Sequence, residues 1–501
     1  PYQEAKNSPE WRKNFQQVLQ GAGNIEVAEK EPLGFWRINP FQFFAAAFDL
    51  TDLPIPDITT LYGSRIFYSH IDGDGLTGIS LIDSKSYASE FVRDQIIKAY
   101  PLPITASVIS REIETQGFPY YNRPYSVAKS IFELENVEAA THSYTHPYNW
   151  RKGDIDVRFK GENWSWETLK INYEMEVPVS VRFIEKNLLP PHKKLKVYLW
   201  SGQCNPDERA LSWIEKLGIE NLNGGDPIYD QDYPTYSKLA PFAYNKGNFW
   251  QIYTSASNDF IYTNGWTRNF GNMAKLIDYF EHTESPIRIM PMNIYIHFYI
   301  GDRQAGLDGL KKAYNYCMEQ PIAPIFTSEF SRIVRDFINL KQFKIAEHGY
   351  KVFHDNALRT IRFDRTQKFP DFVKSDGIIG FSHYQNALYV YLNEKKEQTI
   401  YLTASPPRSA YLKYGSHYID NWKATAERAT FNVSGLGKAN FEIANLLPDE
   451  KFQVEIHKLH ENTPVLLHRG VTRSSKNGNL KFETIFKGYA GKYAIMIQKV
   501  Q

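Results

Sequence analysis

The stretch Arg65-Ile66-Phe67-Tyr68-Ser69-His70-Ile71-Asp72-Gly73-Asp74-Gly75 runs from β-branched and aromatic residues straight into two carboxylates and two glycines. A short apolar run that ends this abruptly reads as a buried parallel strand, and its C-terminal edge is where barrel enzymes collect reactive groups. Outward from it, residues 64–337 alternate similar runs with helical patterns, the signature of βα units around a parallel sheet. The predicted strands are 65–72, 104–110, 137–142, 195–202, 219–224, 249–255, 287–297 and 322–328. The fold class is therefore α/β, with a distorted (β/α) barrel of seven to eight strands over 61–342. Two helix starts are legible: Asn205 as N-cap before Pro206, and Asp302 before the Leu307, Leu310, Ala313 stripe.

Beyond Lys341 the pattern changes to polar–apolar alternation broken by turns, as in 377–391, 398–404, 429–433 and 493–497. This predicts an all-β sandwich over 343–501 with its own core. Its aromatic cluster, Tyr411, Tyr414, Tyr418 and Trp422, suits sugar stacking or, more strongly, core and interface packing. Residues 1–60 read as a lead-in with a helix around Trp11–Gln20 and a stretch punctuated by Pro40, Pro54 and Pro56 that packs on the barrel. The chain opens Pro1-Tyr2-Gln3, which reads as a piece of something longer and gives no location.

Lys and Arg number 58 against 56 Asp and Glu, and no basic stripe interleaves with aromatics, so nucleic acid is an unexpected partner. The apolar stretch around 287–300 is broken by Arg288, Pro291 and His297, so no transmembrane segment is expected. Cys204 and Cys317 are too few for a disulfide framework and read as separate buried thiols. With 33 Tyr and 32 Phe, the chain has the aromatic material that lines carbohydrate clefts.

A second motif, Thr141-His142-Ser143-Tyr144-Thr145-His146-Pro147, ends the third predicted strand. Its two imidazoles meet if the segment turns helically. His297 ends the seventh strand, Trp200-Ser201-Gly202 the fourth and Asn223-Gly224-Gly225-Asp226 the fifth. Taken singly, each has a plain explanation: Asp-Gly-Asp-Gly is a turn, a four-residue His spacing arises by chance, and a strand His is a satisfied core imidazole. At the strand ends of one barrel they would converge on one mouth. Two imidazoles and a carboxylate leave coordination positions open on a divalent metal, Zn²⁺ first, with Co²⁺ or Ni²⁺ also suited. A metal-activated water, a carboxylate to take its proton and an imidazole to protonate a leaving nitrogen together make an amide hydrolase.

These motifs resemble the NodB-homology polysaccharide deacetylases, in particular the branch that modifies the Pel exopolysaccharide. The likeness runs from Asn39-Pro40-Phe41 and Pro54-Ile55-Pro56-Asp57 through the Asp72, His142, Trp200, Asn223 and His297 segments to 326–337. It implies Asp72 as base, Asp74, His142 and His146 as metal ligands, and His297 as general acid. It further implies a substrate polymer of N-acetylgalactosamine or N-acetylglucosamine, acetate as product, an extracytoplasmic (periplasmic) setting, and exopolysaccharide export or biosynthesis machinery as partner in a biofilm context. Two departures stand out. Gly73 separates acids that are adjacent in the family, and the family's Arg motif that steadies the base has no counterpart, so nothing in the sequence orients Asp72. Asp226 is the candidate to orient His297, the Tyr144 N–H to hold the oxyanion, and Trp200 to support the site. His70, alternating with Asp72, reads equally as a supporting or a packing group.

The first rival is a glycoside hydrolase using Asp72 and Asp74 as paired carboxylates, which leaves His142, His146 and His297 without roles. The second is a non-catalytic polysaccharide-binding protein on the same scaffold, which leaves every reactive group unused. Cys204 as a nucleophile has no base marked nearby.

Overall fold

In the computed structural model, which describes residues 40–47, 53–114, 122–151, 154–155, 158–160, 163–165, 169–459, 464–489 and 491–500, the opening stretch forms strand β1 (Ser64–Asp72), buried along its whole length. Six further strands build on it: β2 (Ile104–Ala106), β3 (Val137–Thr141), β4 (Leu195–Leu199), β5 (Glu220–Leu222), β6 (Met292–His297) and β7 (Ile322–Pro324). These strands run β5-β4-β3-β2-β1-β6, all parallel, with β7 also pairing parallel to β1 and an eighth strand, Thr60–Leu61, pairing antiparallel to it. His297 pairs with Asp72 and Met292 with Phe67, so the two chemically loaded strand ends are in register.

Side-chain alternation along β1 sorts its residues between two faces. Phe67 and Ile71 pack in the core that holds Leu307, Leu310 and Ala313 of helix α2 (Gln304–Glu319), after α1 (Glu208–Leu217) earlier in the chain. Ile66 and Tyr68 pack on the other face against Phe330, Ile333 and Val334 of helix α3 (Thr327–Asn339). The Tyr68 and Phe330 rings stack at 4.2 Å. Apolar packing fills this face below the sheet's C-terminal edge and leaves His70 and Asp72 above it.

The parallel βα pattern is confirmed, but the sheet is a curled half-barrel. Phe249–Ile252 does not join it; it forms an antiparallel hairpin with Ala243–Lys246, because Gly247 (φ +69) makes a tight turn there. Between β5 and β6 the connection is irregular: Thr254 N–H donates to Gly224 O at 3.1 Å, and Asn258 bridges to Tyr295. The predicted strands 104–110 and 322–328 stop early because helices begin at Ser110 and Thr327. The N-cap of α1 is Asp207, whose Oδ1 accepts from Ala210 N–H at 2.9 Å, while Asn205 accepts from Trp150 N–H instead. Arg303, one residue after Asp302, precedes α2, and the expected apolar stripe is buried.

From Lys341 onward the chain is all β, as expected, but it is not one simple sandwich. A seven-stranded sheet runs Ile55–Pro56, Thr360–Asp364, Ala387–Leu392, Ile378–Tyr384, Tyr411–Gly415, Gly437–Ala444 and Leu480–Phe486, accompanied by separate four- and five-stranded sheets. Nor is its core separate. Val352, Val390, Phe431 and Ile495 belong to the same buried cluster as Ile66 and Phe330. The lead-in likewise serves both parts: Ile55 pairs with Arg362 of the β region, and Thr60 with Arg65 of β1. The helix expected around Trp11–Gln20 lies outside the described residues. In the aromatic cluster, Tyr411 stacks on Phe381 at 4.5 Å, Trp422 lies 5.2 Å from Phe431, and Tyr418 donates to Ala357 O at 3.0 Å, which is packing. Among the described residues no helix is long and apolar enough to cross a membrane.

Asp336 of α3 ties the two parts together, accepting the N–H groups of Asp355 (2.5 Å), Ala357 (2.8 Å) and Leu358 (2.9 Å). Asp336→Ala leaves these donors, the buried Leu358 N–H among them, without their carboxylate and is expected to cost about 3 kcal/mol of stability, measured as a lower urea midpoint in a single unfolding transition.

Candidate metal centre and catalytic cleft

Asp72 is the last residue of β1, and Gly73 lets the chain pass hard against the neighbouring strand ends. A Cβ there would lie 3.0 Å from His142 Cβ and from the Val108 and Ile109 backbone. The next acid, Asp74, therefore projects beside the loop that follows β3. That loop is not the helical turn expected from the His spacing. Ser143 (φ 68) and His146 (φ 63) are left-handed, a conformation that costs free energy in non-glycine residues and needs outside support. Buried Glu176 supplies it: Oε2 accepts from Tyr144 N–H (3.0 Å) and Thr145 N–H (2.9 Å), and Oε1 from Thr145 Oγ1 (2.5 Å). His146 N–H donates to Ser143 Oγ at 3.0 Å.

The result is a three-donor cluster of Asp74, His142 and His146 whose ligand atoms lie within 4.8 Å of one another. His142 Nδ1 donates to Leu199 O at 3.0 Å, which fixes the tautomer and turns the Nε2 lone pair toward Asp74. His142 Nε2 stands 3.4 Å from Asp74 Oδ2, and His146 Nε2 3.2 Å from Asp74 Oδ1. Both Nε2 atoms are buried without a hydrogen-bond partner. Burial alone would raise the Asp74 pKa, but His146 and His142 outweigh it and hold the carboxyl well below its ordinary value. Two unpartnered imidazole nitrogens around one carboxylate are a donor set that fits a divalent ion.

Asp72 is only 2% exposed. Asn223 Nδ2 donates to both of its oxygens (2.9 and 3.1 Å), and Tyr295 OH donates to Oδ2 at 2.6 Å. These two neutral donors do the orienting for which the sequence offered no arginine. Asn223 is itself anchored on Trp200 O at 3.1 Å. Tyr295 was legible in principle, since on β6 it precedes His297 by two and so shares its face.

His297 Nε2 stands 3.5 Å from Asp72 Oδ2. Its Nδ1 donates to Asp259 Oδ1 at 2.7 Å, and its backbone N–H to the same oxygen at 2.9 Å. Asp259 Oδ2 accepts from Trp266 Nε1 at 2.6 Å. Burial lowers the His297 pKa, and the Asp259 carboxylate, with Asp72 and Asp74, raises it beyond that loss to about 9.

Several expected supporting roles need correction. Asp259, not Asp226, orients His297, because the Asn258–Tyr295 bridge lays the start of a short helix, Asp259–Tyr262, beside β6. Burial pushes the Asp226 carboxyl up to about 6, against the pull of His297. The Tyr144 N–H is committed to Glu176 and is not free to hold an oxyanion. The Trp200 side chain is buried on Asn221 (3.0 Å), and only its carbonyl serves the site, through Asn223. His70 stacks on Tyr295 at 4.2 Å, and burial lowers its pKa to about 3, so it packs as a neutral ring. The Cys204 thiol donates to Trp200 O at 3.1 Å and burial pushes its pKa well up, which removes it as a nucleophile.

No protein-family model and no curated protein matches the chain. Solved structures align over most of its length at low identity. A family 29 fucosidase from Ruminococcus gnavus in complex with fucose is 11% identical over 90% of this chain and 93% of its own, with a TM-score of 0.28. A glucosidase from Croceicoccus marinus is 10% identical over 87% and 90%, at 0.18. A family 27 β-L-arabinopyranosidase from Geobacillus stearothermophilus is 7% identical over 88% and 96%, at 0.24. The functional reading therefore rests on the geometry of the site.

Because Glu176 accepts the N–H groups of Tyr144 and Thr145 between the two imidazoles, Glu176→Ala is expected to weaken Zn²⁺ binding about 10–100-fold, read by calorimetric titration, with Glu176→Gln recovering part of the loss.

Proposed function

We propose that the chain is a metal-dependent deacetylase of N-acetylated amino-sugar polymers. The observation that carries this is the placement of a buried carboxylate, Asp72, between two assemblies: the Asp74, His142, His146 donor set on one side and the Asp259-backed His297 on the other. A divalent ion held by those three residues, Zn²⁺ or alternatively Co²⁺ or Ni²⁺, would supply Lewis-acid polarisation of the acetamide carbonyl and a water of lowered pKa.

The remaining chemistry belongs to the chain. Asn223 and Tyr295 fix both Asp72 oxygens, so Asp72 accepts the proton of the attacking water without rearranging. Asp259 holds the Nδ1 proton of His297, so the proton delivered to the departing amine leaves from Nε2, on the Asp72 side. Acetate and a free amino sugar result. The resemblance extends the proposal to a Pel-like exopolysaccharide, a periplasmic location and contact with export or biosynthesis machinery.

Glycoside hydrolysis, the activity of the aligned solved proteins, is the second reading. It needs one carboxylic acid of raised pKa to protonate the leaving oxygen. Asp74 is held low by its two imidazoles, whereas Asp226, at about 6, and Glu112, at about 7, are carboxyls near the site that burial raises toward such a role. Acetate release from acetylated amino-sugar polymers, abolished by chelation and restored by Zn²⁺, supports the deacetylase. New reducing ends without acetate would establish the glycosidase.

Asp74→Asn replaces an anionic donor and is expected to lose metal, whereas Asp72→Asn should keep metal and fall in acetate-release rate by about 10²–10⁴-fold. Elemental analysis and rates on both variants check this, and metal loss from Asp72→Asn alone would reverse the two roles.

Asp259→Asn is expected to move the basic limb of the pH–kcat profile to lower pH. The Asp259 anion stabilises the imidazolium and raises the His297 pKa, so its removal lowers that pKa and the general acid is lost earlier as pH rises. An unmoved basic limb would remove His297 as the titrating acid.

A further inference from the structure

Trp266 and Tyr299 form a wall at the edge of the site. The Trp266 ring lies 5.0 Å from His297 and 4.7 Å from Tyr299, and Tyr299 covers Gly75, next to Asp74, so closely that a Cβ on that glycine would come within 2.7 Å of it. On the far side of this wall is a cleft lined by Trp266, Phe270, Tyr299, Asp302, Arg303 and Gly306 among others.

The cleft is built, not incidental. Asn264, Trp266 and Asn269 have positive φ (51, 55 and 58), and Trp266 in particular is a bulky residue held in a strained conformation. The strain is held by Trp266 N–H to Thr263 Oγ1 at 3.0 Å and by Trp266 Nε1 to Asp259. Opposite, Gly309 allows α2 to approach the Phe270–Lys275 turn, since a Cβ there would meet Gly271 O at 2.3 Å. That approach places the Arg303 guanidinium 4.4 Å over the Phe270 ring, with Arg303 Nε 3.6 Å from Asp302 Oδ2. The Tyr299 ring remains 40% exposed at the rim.

We propose that this cleft is a subsite for a sugar residue adjacent in the polymer to the one that reacts. The inference rests on the deacetylase reading for the identity of that residue, an N-acetylated hexosamine. A pyranose offers an apolar C–H face and a rim of hydroxyls. Trp266, Tyr299 and Phe270 meet the first, and the planar Arg303 and Asp302 groups meet the second as donor and acceptor. The wall then divides the labour: His297 works on one side, and the cleft grips the chain on the other, so binding away from the reacting bond selects polymer over monosaccharide.

The test is calorimetric binding of N-acetylglucosamine and N-acetylgalactosamine pentasaccharides, and of the two monosaccharides, to the full chain in chelator. At least one pentasaccharide is expected to bind more tightly than its monosaccharide. Phe270→Ala and Arg303→Ala should each weaken that binding about tenfold. Both variants should leave monosaccharide affinity, and the phenyl acetate hydrolysis rate of the Zn²⁺-loaded chain, unchanged. Equal pentasaccharide affinity in wild type and both variants, or no pentasaccharide binding at all, overturns the subsite even if acetate is released from polymer. Binding that is lost in the variants of a chain releasing no acetate from any amino-sugar polymer keeps the subsite and overturns the deacetylase reading.

Discussion

A carboxylate almost wholly withdrawn from water must be compensated by its neighbours, and the arrangement of this protein follows from how Asp72 is compensated. Leaving such a charge unpaired would cost several kcal/mol. Here it is surrounded by Asn223, Tyr295, His142 and His297, drawn from the ends of three different strands or the turns that follow them. Each partner has a second attachment: Asn223 to the Trp200 carbonyl, His142 to the Leu199 carbonyl, Tyr295 to the His70 ring, His297 to Asp259. The site is thus a network in which the second attachments, Leu199 O on His142 and Asp259 on His297, fix the tautomers and aim both rings at one carboxylate.

The network stands on an unusual floor. Helix α3 covers the inner face of the curled sheet directly below His70 and Asp72, with Phe330 stacked on Tyr68. The same helix is pinned by Asp336 to the loop 355–358 of the β region. Rigidity under the reactive residues therefore depends on residues far along the chain. This gives the β region a structural part in the site, independent of any sugar-binding role of its own.

The three-donor cluster and the Asp259-backed imidazole come from different elements. Asp74, His142 and His146 come from the turn after β1 and the loop after β3; His297 comes from β6 and its carboxylate partner from the helix at Asp259. Glu176 holds one half and Trp266 braces the other. Strained left-handed residues occur in both halves, at Ser143 and His146 and again at Trp266, where backbone strain is offset by surrounding hydrogen bonds.

The sequence by itself determined the parallel strand β1, the βα alternation around it, the change to β structure after Lys341, and the identity of Asp72, Asp74, His142, His146 and His297 as groups that meet. These follow from local signals: side-chain periodicity, glycine at strand ends, and reactive residues at the termini of buried runs. What only the tertiary structure decided was who supports whom. Asp259 lies 38 residues from His297, and Asn223 lies 151 from Asp72, and no periodicity links either pair. Asp226 occupied the more conspicuous sequence position, yet the Asn258–Tyr295 bridge brought Asp259 closer. The hairpin at Gly247 opened the expected barrel for the same reason, since a turn is a local preference but sheet closure depends on which edges meet. Alternation within one strand fixes a side chain's face; its partner across the cleft is fixed by the packing of elements whose contacts carry no mark in the sequence.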